Sequence, residues 1–199
     1  VVAIAQTNIK RMLAYSSIAQ AGYLMVGLAA LGAAPFAPVL SESGVIFFLT
    51  GYALANLGAF AAIIAISNKT GSDLIDDFSG MIKRAPALTL ALSLSLISLI
   101  GMPPAAGFIA KFYIFSGAVH SGLLWLVILA VLNSVISAYY YLRVIKVMWF
   151  GTPASEEKVK SSWSLRTAVL ISSLGVLFLG VYPQPVIDLA RTAARMLGF

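Results

Sequence analysis

Residues 100–113 read IGMPPAAGFIAKFY, and this stretch interrupts a long apolar run with two glycines and two adjacent prolines. Adjacent prolines remove two amide donors and clash with the preceding turn, so a continuous helix cannot pass through them. Four residues after the second glycine, Lys111 stands among side chains that are otherwise soluble in hydrocarbon. We therefore expect a discontinuous helix beside a buried charge. The residues of the expected break are Gly101, Pro103, Pro104 and Gly107.

The composition around this stretch is that of an integral membrane protein. Hydrophobic residues make up 60% of the 199 residues and charged residues only 10%, and several runs approach the roughly 20 apolar residues that span a bilayer. The fold class is therefore predicted to be all-α, a polytopic transmembrane helix bundle forming a single domain over residues 1–199. The expected spans are 12–31, 44–67, 86–119, 123–148 and 165–182, followed by a tail, 186–199, on the membrane surface.

The segment 86–119 is too long for an ordinary span. Its 34 residues would form a helix of about 50 Å, against a hydrocarbon core of about 30 Å. If it crosses once, ten lysines and arginines lie on one side of the membrane and two on the other, whereas two crossings divide them seven to five. The positive-inside rule favours one broken crossing, about five crossings in all, with the Lys/Arg-rich loops cytoplasmic. The net charge of +6 is thus read as a topology signal and not as a sign of nucleic acid.

Lys111 is the strongest candidate for chemistry. Desolvation disfavours the charged form of a lysine at membrane depth, so its amine can bind and release a proton. One alternative is a lysine that snorkels to the interface, but counting back from Val119 places Lys111 about 12 Å inside the crossing. A second alternative, a lysine that only caps the carbonyls of the broken helix, stays open.

Other polar side chains are weaker candidates for lining a proton path, and each also has a purely structural explanation. Ser98 and Tyr113 flank the break, but hydroxyl side chains in membrane helices are more often packing elements. Gln20 shares a helix face with Tyr23, and Asn56 has Tyr52 one turn away. An interhelical hydrogen bond explains such residues equally well. Lys10 and His120 are candidates at the two ends of the bundle, with ordinary interfacial residues as the alternative.

Several kinds of site are not expected. The chain has no cysteine and a single histidine, which argues against disulfides and thiolate metal sites. Asp73, Asp76 and Asp77 fall in a polar connector with nearby lysines, so we predict no metal there. No glycine-rich phosphate loop, nucleophile with its base, or haem-ligand pair is found, and no cofactor is expected in this chain.

Five segments carry a resemblance that extends over nearly the whole chain. The segments are TNIKRMLAYSSIAQAGYL at 7–24, GYALANLGAF at 51–60, SLIGMPPAAGFIAKFYIF at 98–115, AYYYLRV at 138–144 and GVYPQP at 180–185. With these segments the chain resembles the C-terminal part of the antiporter-like membrane subunits of respiratory complex I, and it is expected to be a piece of a longer protein. Lysine in GFIAKF, where paralogues have glutamate, and the lack of histidine in the second span favour the subunit N branch over the M and L branches.

The resemblance implies more than the residues alone. Members of this family have about fourteen helices in two inverted repeats, each with a broken helix, and this chain would cover the last five. Lys111 would then be the terminal lysine of the proton path, on its release side. The family's glutamate and partner lysines of the first repeat have no counterpart here.

The implied function is that of a non-redox, proton-translocating subunit of NADH:quinone oxidoreductase in the bacterial inner membrane. NAD, flavin, iron–sulfur clusters and quinone would belong to other subunits. The partners would be other membrane subunits of complex I, especially neighbouring antiporter-like ones, and the lipid bilayer, with no nucleic acid. The alternatives are a subunit of a cation/proton antiporter or membrane-bound hydrogenase, an independent solute carrier, and a structural membrane scaffold.

Overall fold

The computed structural model describes residues 2–33, 38–153, 155–159 and 161–196, with side chains for all of these except 32, 33, 38–42, 194 and 195. This part of the chain is built from α-helices, joined by short connectors with two 3₁₀ turns, Val2–Ala5 and Ile75–Phe78. The α-helices are α1 (Ile9–Ala33), α2 (Pro38–Thr70), α3 (Met81–Arg84), α4 (Pro86–Ile100), α5 (Ala106–His120), α6 (Leu124–Phe150), α7 (Trp163–Val181) and α8 (Gln184–Met196).

Four of the described helices contain stretches long and apolar enough to cross a membrane, in α1, α2, α6 and α7. The stretches are Ile9–Leu31, Ser43–Thr70, Leu124–Phe150 and Trp163–Val181. A helix satisfies its own backbone donors and acceptors, which is why apolar runs of this length adopt it in lipid. The predicted all-helical bundle is confirmed, and its spans extend a few residues beyond most of the predicted ends.

The predicted helix break is also confirmed. Helix α4 ends at Ile100, and Gly101 follows with φ +91°, a left-handed conformation that a side chain would disfavour. The two prolines lie in the turn before α5. Gly107 differs from the prediction because it lies inside the first turn of α5 and not in the break. It is needed for close packing, since a Cβ there would lie 1.8 Å from the carbonyl oxygen of Ser98.

Helices α4 and α5 stack end to end and make one crossing. Along α6, Ser134 bonds to Ile100 at the break, and Trp149 donates to the Ser93 hydroxyl of α4. Helix α6 therefore runs antiparallel to α4, and it also contacts α5, where Lys111 donates to Ser134. Helix α2 also contacts both half-helices, because Gly51 packs near Ala106 of α5 and Gly58 near Ser95 of α4. A single broken crossing, as predicted from the charge distribution, is the arrangement that the helix contacts support.

Helix α2 lies at the centre of the bundle, in contact with α1, α4, α5, α7 and α8. Small residues let neighbouring helices approach α2 closely, and Ala55, Ala59 and Ala62 are at most 1% exposed. Large apolar side chains on α6 and α7 remain exposed, as expected of a surface that meets lipid or neighbouring protein. Helix α8 covers the start of the predicted surface tail, and it buries Ile187 and Ala190 against the bundle.

Ion pairs hold together the end of the bundle that is rich in lysine and arginine. Lys10 at the start of α1 lies 2.8 Å from Asp73 in the polar connector. Lys69 at the end of α2 pairs with Glu157 in the loop before α7, and Arg84 donates to the backbone oxygen of that same glutamate. These contacts gather the cation-bearing loops at one end. Of the ten cations assigned to this side, Lys160 falls outside the described residues.

Candidate functional site

The buried lysine lies where the two half-helices meet. Lys111 projects from α5 and is only 6% exposed. Its Nζ atom donates to the carbonyl oxygens of Leu99 and Ile100, at 3.1 and 2.7 Å, and to the Ser134 hydroxyl at 2.8 Å. An ammonium group has three N–H donors, and each finds one neutral acceptor. Among the described residues, the salt bridges do not include Lys111.

The break creates two of these acceptors. The last carbonyls of a helix have no partner one turn further on. The amides of Gly101 and Met102 turn back to Ile97 and Ser98, which leaves Leu99 and Ile100 facing the interior. The end of α4 therefore places two carbonyl oxygens that lack a backbone partner in front of the lysine.

Each of these carbonyls also has a second donor. Gln20 of α1 donates its side-chain amide to Leu99 at 3.0 Å, and Ser134 of α6 donates to Ile100 at 3.1 Å. Lys111 is consequently one of two donors at each oxygen. The helix end would keep a hydrogen bond at both carbonyls if the ammonium group were removed.

An aromatic ring lies against the same ammonium group. The Nζ atom of Lys111 is 4.5 Å from the centre of the Tyr23 ring, within the range of a cation–π interaction. The Tyr23 hydroxyl accepts from the Asn133 amide at 3.1 Å. A ring that is held in place by α6 thus packs beside the charge and keeps bulk water from it.

A small cavity opens on the α2 side of the lysine. It has room of about 10 Å³ for the centre of a water molecule, close to the minimum for one ordered water. Polar groups on four helices face it: Gln20, Tyr52, Ser98 and Lys111. Lys111 and Tyr52 therefore line the same water-sized space.

A hydrogen-bonded chain continues from this cavity along α1 and α2. The Tyr52 hydroxyl donates to Ser17 at 2.9 Å and accepts from the Asn56 amide at 3.2 Å. The predicted candidates Gln20, Ser98 and Asn56 therefore lie on or next to the cavity. Ser98 also accepts from the Gly107 amide at 3.1 Å, which joins the two half-helices.

A larger groove of about 700 Å³ opens on the other side of Lys111, between α5 and α6. Lys111 and Ser134 lie towards one end of its polar lining, and Ser116 and His120 towards the other. His120 is exposed, and its Nδ1 atom lies 2.8 Å from the carbonyl oxygen of Ser116. Phe108, Phe112 and Val135 are among the apolar side chains between them, so this groove is mainly hydrophobic.

Two predicted candidates lie apart from the lysine. Lys10 pairs with Asp73 at the cation-rich end of the bundle, and among the described residues no hydrogen bond joins it to Lys111. Tyr113 packs its ring 6.4 Å from that of Phe47 on α2. Its hydroxyl has no hydrogen-bond partner in the described part of the chain. Their role in a proton path stays a prediction.

Two residues of the site, Ser134 and Tyr23, are not among the candidates predicted from the sequence. Both carry a signal, since Ser134 lies between Asn133 and Ser137 in an otherwise apolar span and Tyr23 lies one turn from Gln20. The sequence does not indicate which side chain or backbone group on another helix each of them contacts.

Among the described residues, no group of three or more histidines and carboxylates could hold a metal ion.

The family described as NADH:quinone oxidoreductase/Mrp antiporter, transmembrane, matches residues 1–137. The chain is 49% identical over 199 residues to NADH-quinone oxidoreductase subunit N of Dehalococcoides mccartyi, and the match covers 99% of this chain and 40% of the relative. The chain thus spans about 40% of the length of the curated relatives that it matches.

Two solved structures share the fold. Respiratory complex I of Thermus thermophilus contains a chain that is 33% identical, with a TM-score of 0.80 over 94% of this chain and 41% of that one. The membrane-bound sulfane sulfur reductase, an archaeal respiratory membrane complex, contains a chain that is also 33% identical, with a TM-score of 0.86 over 98% of this chain and 38% of that one.

Proposed function

The chain belongs to the NADH:quinone oxidoreductase/Mrp antiporter transmembrane family, and on this basis we propose that it is part of a proton-translocating subunit of NADH:quinone oxidoreductase. In this proposal, Lys111 binds and releases the transported proton. The chain itself carries out no redox step. The relative from Dehalococcoides mccartyi, which is named as subunit N of that enzyme, supports the assignment.

The observation that carries the proposal is the set of contacts around the lysine. The ammonium group is buried at a helix break, and its three acceptors are neutral oxygens. A carboxylate partner would hold the positive charge permanently, whereas neutral acceptors leave the proton free to depart when the local field changes. Loss of the proton leaves an amine with two N–H donors and a lone pair, and the proton passes to a water or hydroxyl next to it.

The second donors at Leu99 and Ile100 argue against a purely structural lysine. Gln20 and Ser134 already satisfy these carbonyls, so the broken helix does not depend on the ammonium group for its hydrogen bonds. A buried charge is costly, and a residue that is not needed for stability at such a site is best explained by function.

The two cavities supply the two sides of the proton path. The water-sized cavity is the uptake side, because Tyr52 and Lys111 both line it and the Tyr52 hydroxyl is hydrogen-bonded to Ser17 and Asn56. The α5–α6 groove is the release side, since it extends from Lys111 to His120 at the end with few cations. Separate cavities on the two sides of one lysine are what a carrier with a single proton-binding group requires.

The driving force is electrostatic. Electron transfer to quinone takes place in other subunits, which also hold NAD, flavin and the iron–sulfur clusters in this proposal. A charge change in a neighbouring antiporter-like subunit alters the field at Lys111, and the proton leaves when the charged form is no longer favoured. Other membrane subunits of complex I and the lipid bilayer are the partners. The membrane is a bacterial inner membrane, with the cation-rich end cytoplasmic.

A second function has specific support. The chain is as similar in sequence to a chain of the sulfane sulfur reductase as to one of complex I, and its TM-score is higher. The same helices can therefore serve a respiratory membrane complex with another electron acceptor. Purification of the full-length chain with its partners separates the two, because only complex I contains a quinone-reducing arm fed by NADH.

The test is proton pumping linked to quinone reduction, in membranes that carry the full-length subunit with Lys111→Met. We expect the complex to assemble and proton pumping to fall severely. Lys146→Met is the matched control, since it removes an exposed lysine of α6 that lies outside both cavities.

Unchanged pumping in an assembled Lys111→Met complex would leave the lysine as a structural cap. A complex that fails to assemble with Lys111→Met but assembles with Lys146→Met would support the scaffold alternative. Redox-independent transport by the purified subunit would instead indicate a solute carrier.

A further inference from the structure

A second groove lies on the opposite flank of α4, far from the lysine site. It has a volume of about 790 Å³ and runs between the first half of α4 and the first half of α7, with the preceding loop at its mouth. We call it the α4–α7 groove. Its lining includes Lys83, Arg84, Leu88, Leu94, Lys158 and Arg166.

The mouth of the α4–α7 groove is strongly positive. Lys83, Arg84, Lys158 and Arg166 line it, and no carboxylate does. Among the described residues, the salt bridges include none of these four cations. Glu157, next to Lys158 in the loop, pairs with Lys69, and Arg84 is buried and donates to the backbone oxygen of Glu157.

Three of the four cations, Lys83, Lys158 and Arg166, are exposed and can meet a ligand. The Nε atom of Arg166 is steadied by the Ser161 hydroxyl at 3.2 Å. Lys158 lies in the loop before α7 and Arg166 in the first turn of α7, and both line the groove. An anion at the mouth would have both as partners.

The floor of the groove is apolar. Leu90 and Leu170 are 53% and 59% exposed on its two walls. From Pro86 to Leu94 the wall extends about 12 Å along α4 at the helical rise. Trp163, 77% exposed at the start of α7, is placed as interfacial tryptophans are at the level of lipid headgroups. The groove therefore combines a cationic mouth at headgroup level with a hydrocarbon-lined channel below it.

We propose that the α4–α7 groove binds one anionic phospholipid of the leaflet at the cation-rich end. Lys158 and Arg166 hold the phosphate, with Lys83 and Arg84 adding to the positive field, and an acyl chain lies along Leu90 and Leu170. The match of charge at the mouth and of hydrocarbon below it favours a lipid over a soluble anion, which would use only the mouth. This site is independent of proton transfer at Lys111.

The experiment is photolabelling of the assembled complex in membranes. The probe is phosphatidylglycerol with a diazirine in its acyl chain, and labelled peptides are mapped by mass spectrometry. We expect labels in 86–94 and 169–173. Lys158→Gln combined with Arg166→Gln is expected to raise the probe concentration for half-maximal labelling about 25-fold, since each interfacial cation contributes about fivefold to anionic-lipid affinity.

Two further variants separate charge from shape. Ala87→Trp places a bulky side chain in the groove without removing a cation, and we expect it to abolish labelling of 86–94 and 169–173. Lys146→Gln removes a cation from the same end but outside the groove, and labelling should be unchanged. Each variant is first checked for assembly of the complex.

Three results would overturn the proposal. One is equal labelling by a phosphatidylcholine probe, which would show a surface with no preference for charge. Another is full labelling in both the double variant and Ala87→Trp. The third is displacement of the probe by inorganic phosphate alone, which would reduce the site to an anion site without a lipid chain.

Discussion

The Nζ atom of Lys111 lies 2.7 Å from the carbonyl oxygen of Ile100, the last residue of the helix that precedes the break. A broken helix and a buried lysine thus form one structural unit. The free carbonyls compensate the buried charge, while Gln20 and Ser134 supply the donors that keep the break intact without it. This redundancy allows the lysine to change its protonation state without unfolding its surroundings.

The redundancy at Leu99 predicts a strong coupling between Lys111 and Gln20. Lys111→Met and Gln20→Leu each leave one donor at the Leu99 carbonyl, but the double variant leaves none. We expect the double variant to lose about 1–3 kcal/mol more stability than the two single losses added together, the usual cost of an unsatisfied buried acceptor. The measurement is unfolding of the purified full-length chain in mixed detergent micelles. Additive losses would show that water satisfies this carbonyl.

Gly107 is predicted to tolerate no side chain. A Cβ at this position would lie 1.8 Å from the backbone oxygen of Ser98, which cannot rotate away. We expect Gly107→Ala to cost at least about 3 kcal/mol, the upper end of the usual cost of overpacking, and to reduce the amount of assembled complex.

Gly22 is the matched control for this substitution. It lies in α1, and a Cβ there meets nothing within 4 Å. Gly22→Ala should be neutral or stabilising by about 0.5–1 kcal/mol, because alanine restricts the unfolded chain and favours helix. Equal effects of the two substitutions would contradict the close approach of α4 and α5.

Tyr52 is predicted to take part in proton uptake. Its hydroxyl lies between the water-sized cavity and Ser17, so Tyr52→Phe interrupts the chain of polar groups that leads to Lys111. We expect pumping to slow by about 100-fold, the lower end of the range that a positioned proton-transfer group contributes. Tyr139→Phe is the control, since Tyr139 is exposed on α6 and lines neither cavity beside Lys111. A normal rate with Tyr52→Phe would require another uptake route.

The ion pair between Lys10 and Asp73 is predicted to make stability depend on pH in acid only. A hydrogen bond from Lys10 holds the pKa of Asp73 below its ordinary value of 3.8. The contribution of the pair is therefore complete above the ordinary value and is lost as the pH falls through the lowered pKa. We expect Asp73→Asn to cost less than about 1 kcal/mol at pH 7, since the pair is partly exposed.

Thermal unfolding of the two proteins from pH 7 to pH 3 checks this prediction. The difference between wild type and Asp73→Asn should stay constant down to about pH 5, well above the ordinary pKa of a carboxyl group, and shrink below about pH 4. A difference that already changes between pH 7 and pH 5 would point to another titrating group at this end of the bundle.

Much of the fold could be predicted because hydropathy and helix breakers act locally. The apolar runs located the spans, and Pro103 with Pro104 located the break within a few residues. The charge count favoured a single crossing for 86–119, which α2 and α6 support by contacting both half-helices. Gly107 was assigned to the break and instead serves packing, because a pattern does not distinguish a glycine that bends the chain from one that admits a neighbour.

The partners of Lys111 could not be predicted in the same way. Gln20 and Leu99 are 79 positions apart, and Lys111 and Ser134 are 23 apart. Which of these side chains meet depends on the rotation and height of each helix against the others, which are settled by packing over the whole bundle.

By itself, the sequence determined that this protein is a membrane-embedded helix bundle with one interrupted crossing and a charge buried beside the interruption. The physical reason is that lipid solvates neither unpaired backbone nor charge, so composition alone restricts where both can occur. Only the tertiary structure decided that the lysine shares its two carbonyls with Gln20 and Ser134 and lies between a water-sized cavity and an open groove. Hydrogen bonds between helices depend on distances of a few ångströms, and only the packed bundle sets those distances.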